Sequence, residues 1–205
     1  MPRSSGYVDA QSLKFIAVAL RGLKERSYDA MRLQPGSHVL DLGCGPGIDT
    51  VPLGRLVGPT GKVVGVDLDE DMIAEAQRAA EEADVAGWII HQQGDIQALP
   101  FDDASFDACR AERLFQVLPQ GIEPQRVCAE IVRVLKPGGW FVAVDADWGT
   151  WSMDSSEAEL ERRLARFFAE RLRPNGYAGR QFRRLFGRQG LVDLAVELYP
   201  TSFTD

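Results

Sequence analysis

Apolar positions recur at helical spacing from Ser12 to Tyr28, at Leu13, Ile16, Ala17, Leu20 and Leu23, and predict one helix with a single apolar stripe. Past Pro35-Gly36 the pattern shortens. His38-Val39-Leu40-Asp41-Leu42 is a brief apolar run closed by glycines, which predicts a buried strand turning sharply at its C-terminal end, with a helix from about Asp49. Lys62 to Asp67 repeats the strand pattern and leads into Asp69-Glu70-Asp71-Met72, an acidic helix start capped by Asp69, then Ile73, Ala76, Ala80 and Ala83 at helical spacing. Trp88 to Gln92 and Phe106 to Ala111 read as third and fourth strands, with a turn at Gly94-Asp95 between them. Arg126 to Leu135 is helical through Val127, Ile131, Val134 and Leu135, Lys136-Pro137-Gly138-Gly139 is a tight turn, and Trp140 to Asp145 is a fifth strand. Beyond it the spacing predicts a helix from about Ser156 to Arg173 and a half-exposed strand from Leu191 to Leu198.

Strands alternating with helices across short glycine turns imply an α/β fold: a Rossmann-like three-layer αβα sandwich with a mostly parallel sheet, ligands lying beyond the strands' C-terminal ends. At 205 residues and 45% hydrophobic content the chain suffices for one core and is short for two. It is therefore read as one domain, 1–205, with an N-terminal helical cap over 1–35, a ligand-binding core over 36–150, and a substrate-side helix and last strand over 151–205.

Charge removes one class of partner. A net charge of −7 argues against nucleic acid, which needs a basic face. The nearest thing to one, Arg162, Arg163, Arg166, Arg171 and Arg173 followed by Arg180, Arg183, Arg184 and Arg188, is interleaved with Glu157, Glu159, Glu161 and Glu170 and reads as a solvated mixed-charge helix. Cys44, Cys109 and Cys128 have neither the number nor the spacing of a disulfide framework or zinc site, so no metal is expected and the cytoplasm is the expected compartment. No segment has the apolar length of a secretion signal or a membrane span.

The densest chemical signal is Asp41-Leu42-Gly43-Cys44-Gly45-Pro46-Gly47, where three glycines at alternate positions let the backbone bend tightly and approach a ligand. The third glycine falls one place earlier than in the dinucleotide fingerprint, Ile48 holding that place, and Asp41 suits a cationic group better than a diphosphate. Asp67, at the end of the second strand, sits where a carboxylate can accept both hydrogen bonds of a ribose diol. Gly94-Asp95-Ile96 offers a carboxylate and an apolar side chain at the end of the third strand.

The pieces VLDLGCGPG, GVDLDEDMI, GDIQALPFDDASFD and EIVRVLKPGGWFVAVD, in this order and spacing, resemble the class I S-adenosylmethionine-dependent methyltransferases, especially the ubiquinone and menaquinone biosynthesis type, over most of residues 36–150. The resemblance implies that S-adenosylmethionine is the cofactor and S-adenosylhomocysteine the product. It places Asp41, Gly43, Cys44, Gly45 and Gly47 around the methionine part and Asp67 on the ribose hydroxyls. Leu68 and Met72 would pack on the adenine, and Asp95, flanked by Gly94 and Ile96, would meet its amino group. Arg110 and Ala111 would lie near the sulfonium, and Arg113 would reach the cofactor carboxylate.

Gln116 stands near where such proteins often carry a histidine, which argues against histidine-based acid or base chemistry, and His38 and His91 lie within strand patterns and read as structural. Methyl transfer from a sulfonium is a direct displacement whose rate comes largely from alignment. Where a small-molecule acceptor needs deprotonation, Asp145 or Asp147 past the fifth strand is the local candidate base. Trp148, Trp151, Phe167, Phe168, Tyr177 and Phe182 follow, where a substrate lid would be, with Tyr7 expected to close the pocket from the N-terminal side. Similar enzymes end the sheet with a reversed hairpin; this chain stops at Ser202-Phe203-Thr204-Asp205, so the terminal strand is expected to be missing, and an open sheet edge to favour a homodimer. Two other functions fit the same chain: a non-catalytic S-adenosylmethionine-binding module and an NAD(P)-dependent oxidoreductase.

Overall fold

The structure, a computed structural model, describes residues 8–202. The predicted N-terminal helix is two helices, α1 (Ala10–Ala19) and α2 (Arg21–Ala30), because Leu20 leaves helical geometry at ψ 9°. Asp9 caps α1 by accepting a hydrogen bond from the Ser12 amide at 2.9 Å. There follow β1 (His38–Leu42), α3 (Thr50–Val57), β2 (Lys62–Asp67), α4 (Glu70–Glu82), β3 (Ile89–Gln93), β4 (Phe106–Glu112), α5 (Pro124–Val134), β5 (Leu135–Val144), α6 (Ala158–Phe167) and α7 (Ala178–Arg188). A turn of 3₁₀ helix occupies Trp148–Thr150, and α6 widens into a π-helix over Phe168–Leu172.

The five strands are all parallel, in the order β3-β2-β1-β4-β5. Register and alternation divide the core in two. Val39, Val63 and Ala108 pair across β1, β2 and β4 and point to one face, where Met31, Leu53, Val57 and Ala80 cover them. Their neighbours Leu40, Val64 and Cys109 point to the other, against Val127, Ile131 and Val134 of α5 and Leu185 and Phe186 of α7. This is the expected sandwich, with helices on both faces of a parallel sheet.

Two local expectations change. Lys136–Gly139 does not separate helix from strand: α5 ends at Val134, β5 begins at Leu135, and the glycines form a bulge, since Phe106 pairs with Leu135 and Ala108 already pairs with Trp140. Residues 191–198 form no strand. Leu191 and Leu194 pack on the core while Val192, Val196 and Leu198 are exposed, Asp193 takes φ +53°, and Glu197 pairs with Arg26 of α2 at 2.6 Å. No strand lies outside β5 among the described residues.

Candidate active site

The turn after β1 has left-handed backbone at Gly43, Gly45 and Gly47 (φ +67°, +53° and +77°). Two of these glycines are demanded by packing: a Cβ on Gly43 would lie 2.9 Å from Leu114 Cδ1, and one on Gly47 2.9 Å from Ala76 Cα of α4. Gly45 differs, since its Cβ would meet only Leu13 Cδ1 of α1, at 3.6 Å, across an open cleft. The lost side chains therefore serve helix packing as well as ligand approach. The cleft is walled by Leu13, Ile16 and Ala17 of α1, by Gly43 to Pro46, Ile48 and Asp49 of the turn, and by Lys24, Glu112 and Arg113. Arg113 holds φ +55°, uncommon for a residue with a side chain, directly after β4.

Beneath the cleft lies a buried charge cluster. Lys24 Nζ donates to both carboxylate oxygens of Asp49, at 3.1 and 2.9 Å, and to Glu112 Oε1 at 2.5 Å. Arg110, fully buried, pairs with Glu112 and lies 3.1 Å from Asp49 and 3.7 Å from Asp41. The Tyr28 hydroxyl donates to Asp49 at 2.5 Å, and Arg110 donates to the Ser27 hydroxyl at 3.2 Å. Lys24, Ser27 and Tyr28 recur at helical spacing on α2, so one face of that helix seats the cap on the cluster.

Three carboxylates face two cations there. Burial, with Asp49 and Glu112 close by, outweighs Arg110 and Lys24 and pushes Asp41 up to about 7. Its Oδ2 is buried with no hydrogen-bond partner. Burial acts on Asp49 in the same sense, but Arg110, Lys24 and the Tyr28 hydroxyl hold it below the usual carboxylate range.

Asp67 Oδ2 accepts from the Gly45 amide at 2.9 Å and Oδ1 from the Asp69 amide at 3.0 Å, so it ties the glycine turn to the end of β2; burial raises its pKa against those bonds. Asp69 caps α4 as expected, accepting from Asp71 at 2.9 Å. Leu68 is exposed beside Asp67, whereas Met72 and Ile96 are buried. The Gly94 amide donates to Asp67 O at 3.0 Å, bringing the ends of β2 and β3 together, and Asp95 is exposed and accepts from the Gln97 amide at 2.8 Å. Cys44 is buried, with its thiol pushed well up by burial and by Asp41.

The β4 residues fall differently from the sequence expectation. Arg110 and Ala111 are buried inside the fold, Arg110 as a counter-ion, and Glu112 and Arg113 are the ones that reach the cleft. Asp145 is half-buried after β5, accepting from the Gln116 amide at 3.1 Å and the Ala146 amide at 2.9 Å, and loss of solvent around it pushes it up to about 7 despite those bonds. Asp147 is committed elsewhere: it caps the 3₁₀ turn through the Gly149 amide at 3.1 Å and pairs with Arg180 at 2.5 Å.

The aromatic residues divide. Trp148 stacks on Phe168 at 5.6 Å, Trp151 leans on Phe168 at 5.3 Å, and the Trp148 indole donates to Gln116 Oε1 at 2.6 Å. Phe182 stacks on Phe186 at 4.9 Å and belongs to the core, while Phe167 faces outward and the Tyr177 hydroxyl donates to Glu170 at 3.1 Å. Tyr7 lies outside the described residues. His38 opens β1 with its amide donating to Asp107 at 2.8 Å; buried His91 bonds to Thr50 Oγ1 at 2.8 Å and burial lowers it to about 4. Sequence reasoning missed Lys24, Tyr28, Asp49 and Glu112, whose one local signal is the polar Lys24-Ser27-Tyr28 spacing inside an otherwise apolar-faced helix.

A family profile described as a methyltransferase domain matches residues 40–143. The chain is 36% identical over 167 residues to an uncharacterized 37.1 kDa protein in transposon Tn4556 of Streptomyces fradiae, covering 82% of this chain and 47% of that protein. It is 38% identical over 116 residues to a demethylmenaquinone methyltransferase of Symbiobacterium thermophilum, covering 55% and 44%. The chain thus spans about half the length, or less, of these relatives. Among solved structures, a SAM dependent methyltransferase from Aquifex aeolicus aligns with TM-score 0.67 at 20% identity over 90% of this chain and 89% of that one. A geranyl diphosphate C-methyltransferase from Streptomyces coelicolor, in complex with Mg2+, geranyl diphosphate and S-adenosylhomocysteine, aligns with TM-score 0.61 at 20% identity over 82% and 59%. At these identities the likeness is one of fold.

Proposed function

The chain belongs to the methyltransferase-domain family, and from that premise we propose that it binds S-adenosylmethionine between α1 and the glycine turn and transfers its methyl group to a small-molecule acceptor. One observation carries the reading: the charge cluster under the cleft has one carboxylate more than it has cations, and the surplus falls on Asp41, whose Oδ2 is buried and unpartnered. An ammonium entering beside Glu112 and Asp49 supplies the missing positive charge; a nicotinamide dinucleotide would bring a diphosphate to the same negative field.

The residues fit the rest of the cofactor. Gly43, Cys44, Gly45 and Gly47 leave room for the methionine part, and Arg113, which makes no ion pair with a described residue, takes its carboxylate. Asp67 takes the ribose hydroxyls. Leu68, Asp95 and Ile96 at the ends of β2 and β3 take the adenine, with Met72 and Gly94 shaping that side. Arg110 acts from beneath, fixing the carboxylates rather than touching the cofactor. When bound, S-adenosylmethionine supplies a methyl group on a sulfonium, open to direct displacement. The chain's own work is alignment and exclusion of water, with Asp145 placed to accept a proton from an acidic acceptor at β5.

The curated and structural relatives named for demethylmenaquinone and geranyl diphosphate support a small apolar acceptor, next to Trp148, Trp151 and Phe168. The reading takes the chain as one catalytic domain acting in the cytoplasm, and the open side of β5 as a surface for a homodimer, which sedimentation would reveal. Calorimetry with S-adenosylmethionine and S-adenosylhomocysteine tests the core of it. Micromolar binding by the parent, lost in Asp67→Ala and Gly45→Val variants that still fold, is the expected result. No binding by the folded parent overturns it, and binding without turnover on any acceptor leaves a cofactor-binding module in its place.

A further inference from the structure

Gln116 stands in the loop after β4 and is 1% exposed, and its polar groups meet three separate segments of chain. Its amide donates to Asp145 Oδ2 at 3.1 Å after β5, its carbonyl accepts from the Asn175 amide at 3.2 Å after the π-helix, and its side-chain Oε1 accepts from the Trp148 indole at 2.6 Å in the 3₁₀ turn. The Trp148 amide in turn donates to Gly176 O at 2.8 Å, so the pair is held from both partners. An indole N–H only donates, which fixes the orientation of the glutamine amide: Oε1 lies on Trp148, and Nε2 is turned the other way as a donor. Among the described residues nothing accepts from Nε2, and that atom is not sealed from the surface. A donor held this deep in a protein ordinarily has a partner, because leaving it unsatisfied is costly.

We propose that Gln116 determines acceptor specificity: its Nε2 donates to an oxygen on an otherwise apolar acceptor, selecting a phenol-type hydroxyl. The inference deepens the methyl-transfer reading and rests on it. The loop that carries Gln116 leaves β4 through Arg113, in the wall of the cofactor cleft, and returns beside Asp145, whose carboxylate the Gln116 amide holds. A hydroxyl oxygen accepting from Nε2 therefore has a proton acceptor at hand in Asp145, while the apolar body of the same molecule lies along Trp148 and Phe168. A protonated amine has no lone pair to offer Nε2, and a hydrocarbon ring leaves it unsatisfied. One glutamine thus fixes the spacing between the base and the apolar wall and reads the polar atom placed between them.

The test compares 1-naphthol with naphthalene, the same ring without the oxygen, by equilibrium dialysis against the full chain with and without S-adenosylhomocysteine. The parent should bind 1-naphthol at least about tenfold more tightly, since a site built to bond an oxygen rejects the analogue lacking it. Gln116→Glu keeps an oxygen for the indole but exchanges the donor for a second acceptor, and Gln116→Leu removes both. Each should cut the preference at least about fivefold by weakening 1-naphthol, with naphthalene changed less than about twofold. Trp148→Phe releases Oε1 and should lower the preference as well; it decides the matter where circular dichroism melts show that a Gln116 variant does not fold. No binding of either probe, equal binding of the two by the parent, or a preference that survives in the folded variants overturns the proposal. Equal weakening of both probes does so too, since it marks lost packing and not a lost hydrogen bond. S-adenosylhomocysteine affinity is read in the same samples: its absence in the parent brings down the methyl-transfer reading, whereas the probe preference alone decides the role of Gln116.

Discussion

Replacing Arg110 with methionine keeps most of the volume and removes a charge that touches three carboxylates. The parent guanidinium lies 3.1 Å from Asp49 and 3.7 Å from Asp41, pairs with Glu112, and is 0% exposed, so no water takes its place. Breaking such a buried network from one side costs about 3–5 kcal/mol. For a chain of this size each kcal/mol moves the melting temperature by roughly 2–4 °C, so the variant should melt about 6–20 °C lower at neutral pH. The pH dependence separates charge from packing. Arg110 lowers both Asp41 and Asp49; without it Asp41 rises further above its unfolded value, and Asp49 loses an interaction that holds it below its own. A raised carboxylate is no burden while protonated in both states, and its destabilising effect grows as pH climbs from the unfolded toward the folded pKa. The loss should therefore be larger at pH 8 than at pH 5, read by calorimetric melts of parent and variant side by side. A shift of under about 3 °C, or an equal shift at both pH values, would refute the account.

Other substitutions probe other parts of the site. Gly47→Ala, which combines φ +77° with a Cβ 2.9 Å from Ala76 Cα, should lower stability by about 1–3 kcal/mol in urea titrations, and an unchanged midpoint would contradict the packing described. S-adenosylmethionine affinity should rise with pH through about 7 as Asp41 ionises, approaching tenfold per unit below that value; calorimetry at pH 6 and 7.5 decides it. Burial holds His91 at about 4 against an ordinary 6.5, so the parent should lose about 3 kcal/mol between pH 6.5 and 4. His91→Gln should lack that slope. Asp145→Asn should cut turnover about a hundredfold at pH 8 and remove its rise through pH 7, with cofactor binding unaltered; full activity would dismiss Asp145 as a base.

The strands, the glycine turn and the Asp67 tether were legible because each is a local pattern: a buried run, a change of period, a carboxylate at a strand end. The break at Leu20 was not, since one apolar stripe serves one helix or two. That cluster joins Lys24, Asp49 and Glu112, whose separations of 25 and 88 residues leave no trace in any window of sequence. Alternation alone made a strand of residues 191–198, but the segment pairs with no other strand and Asp193 takes φ +53°, which period-two spacing does not encode.

The two halves of the N-terminal cap differ in what holds them. α2 is seated by Lys24, Ser27 and Tyr28 in buried bonds, whereas α1 buries no residue and exposes Phe15 and Val18 by 79% and 67%. Opening α1 about Leu20 disturbs little apolar packing, whereas opening α2 disrupts five charged groups at once. Amide hydrogens of α1 should therefore exchange through small local openings and those of α2 only with global unfolding. The wall of the cleft facing Gly45 is thus its most readily moved part, and ligand entry and exit should respond to changes in α1 more than to changes in α2.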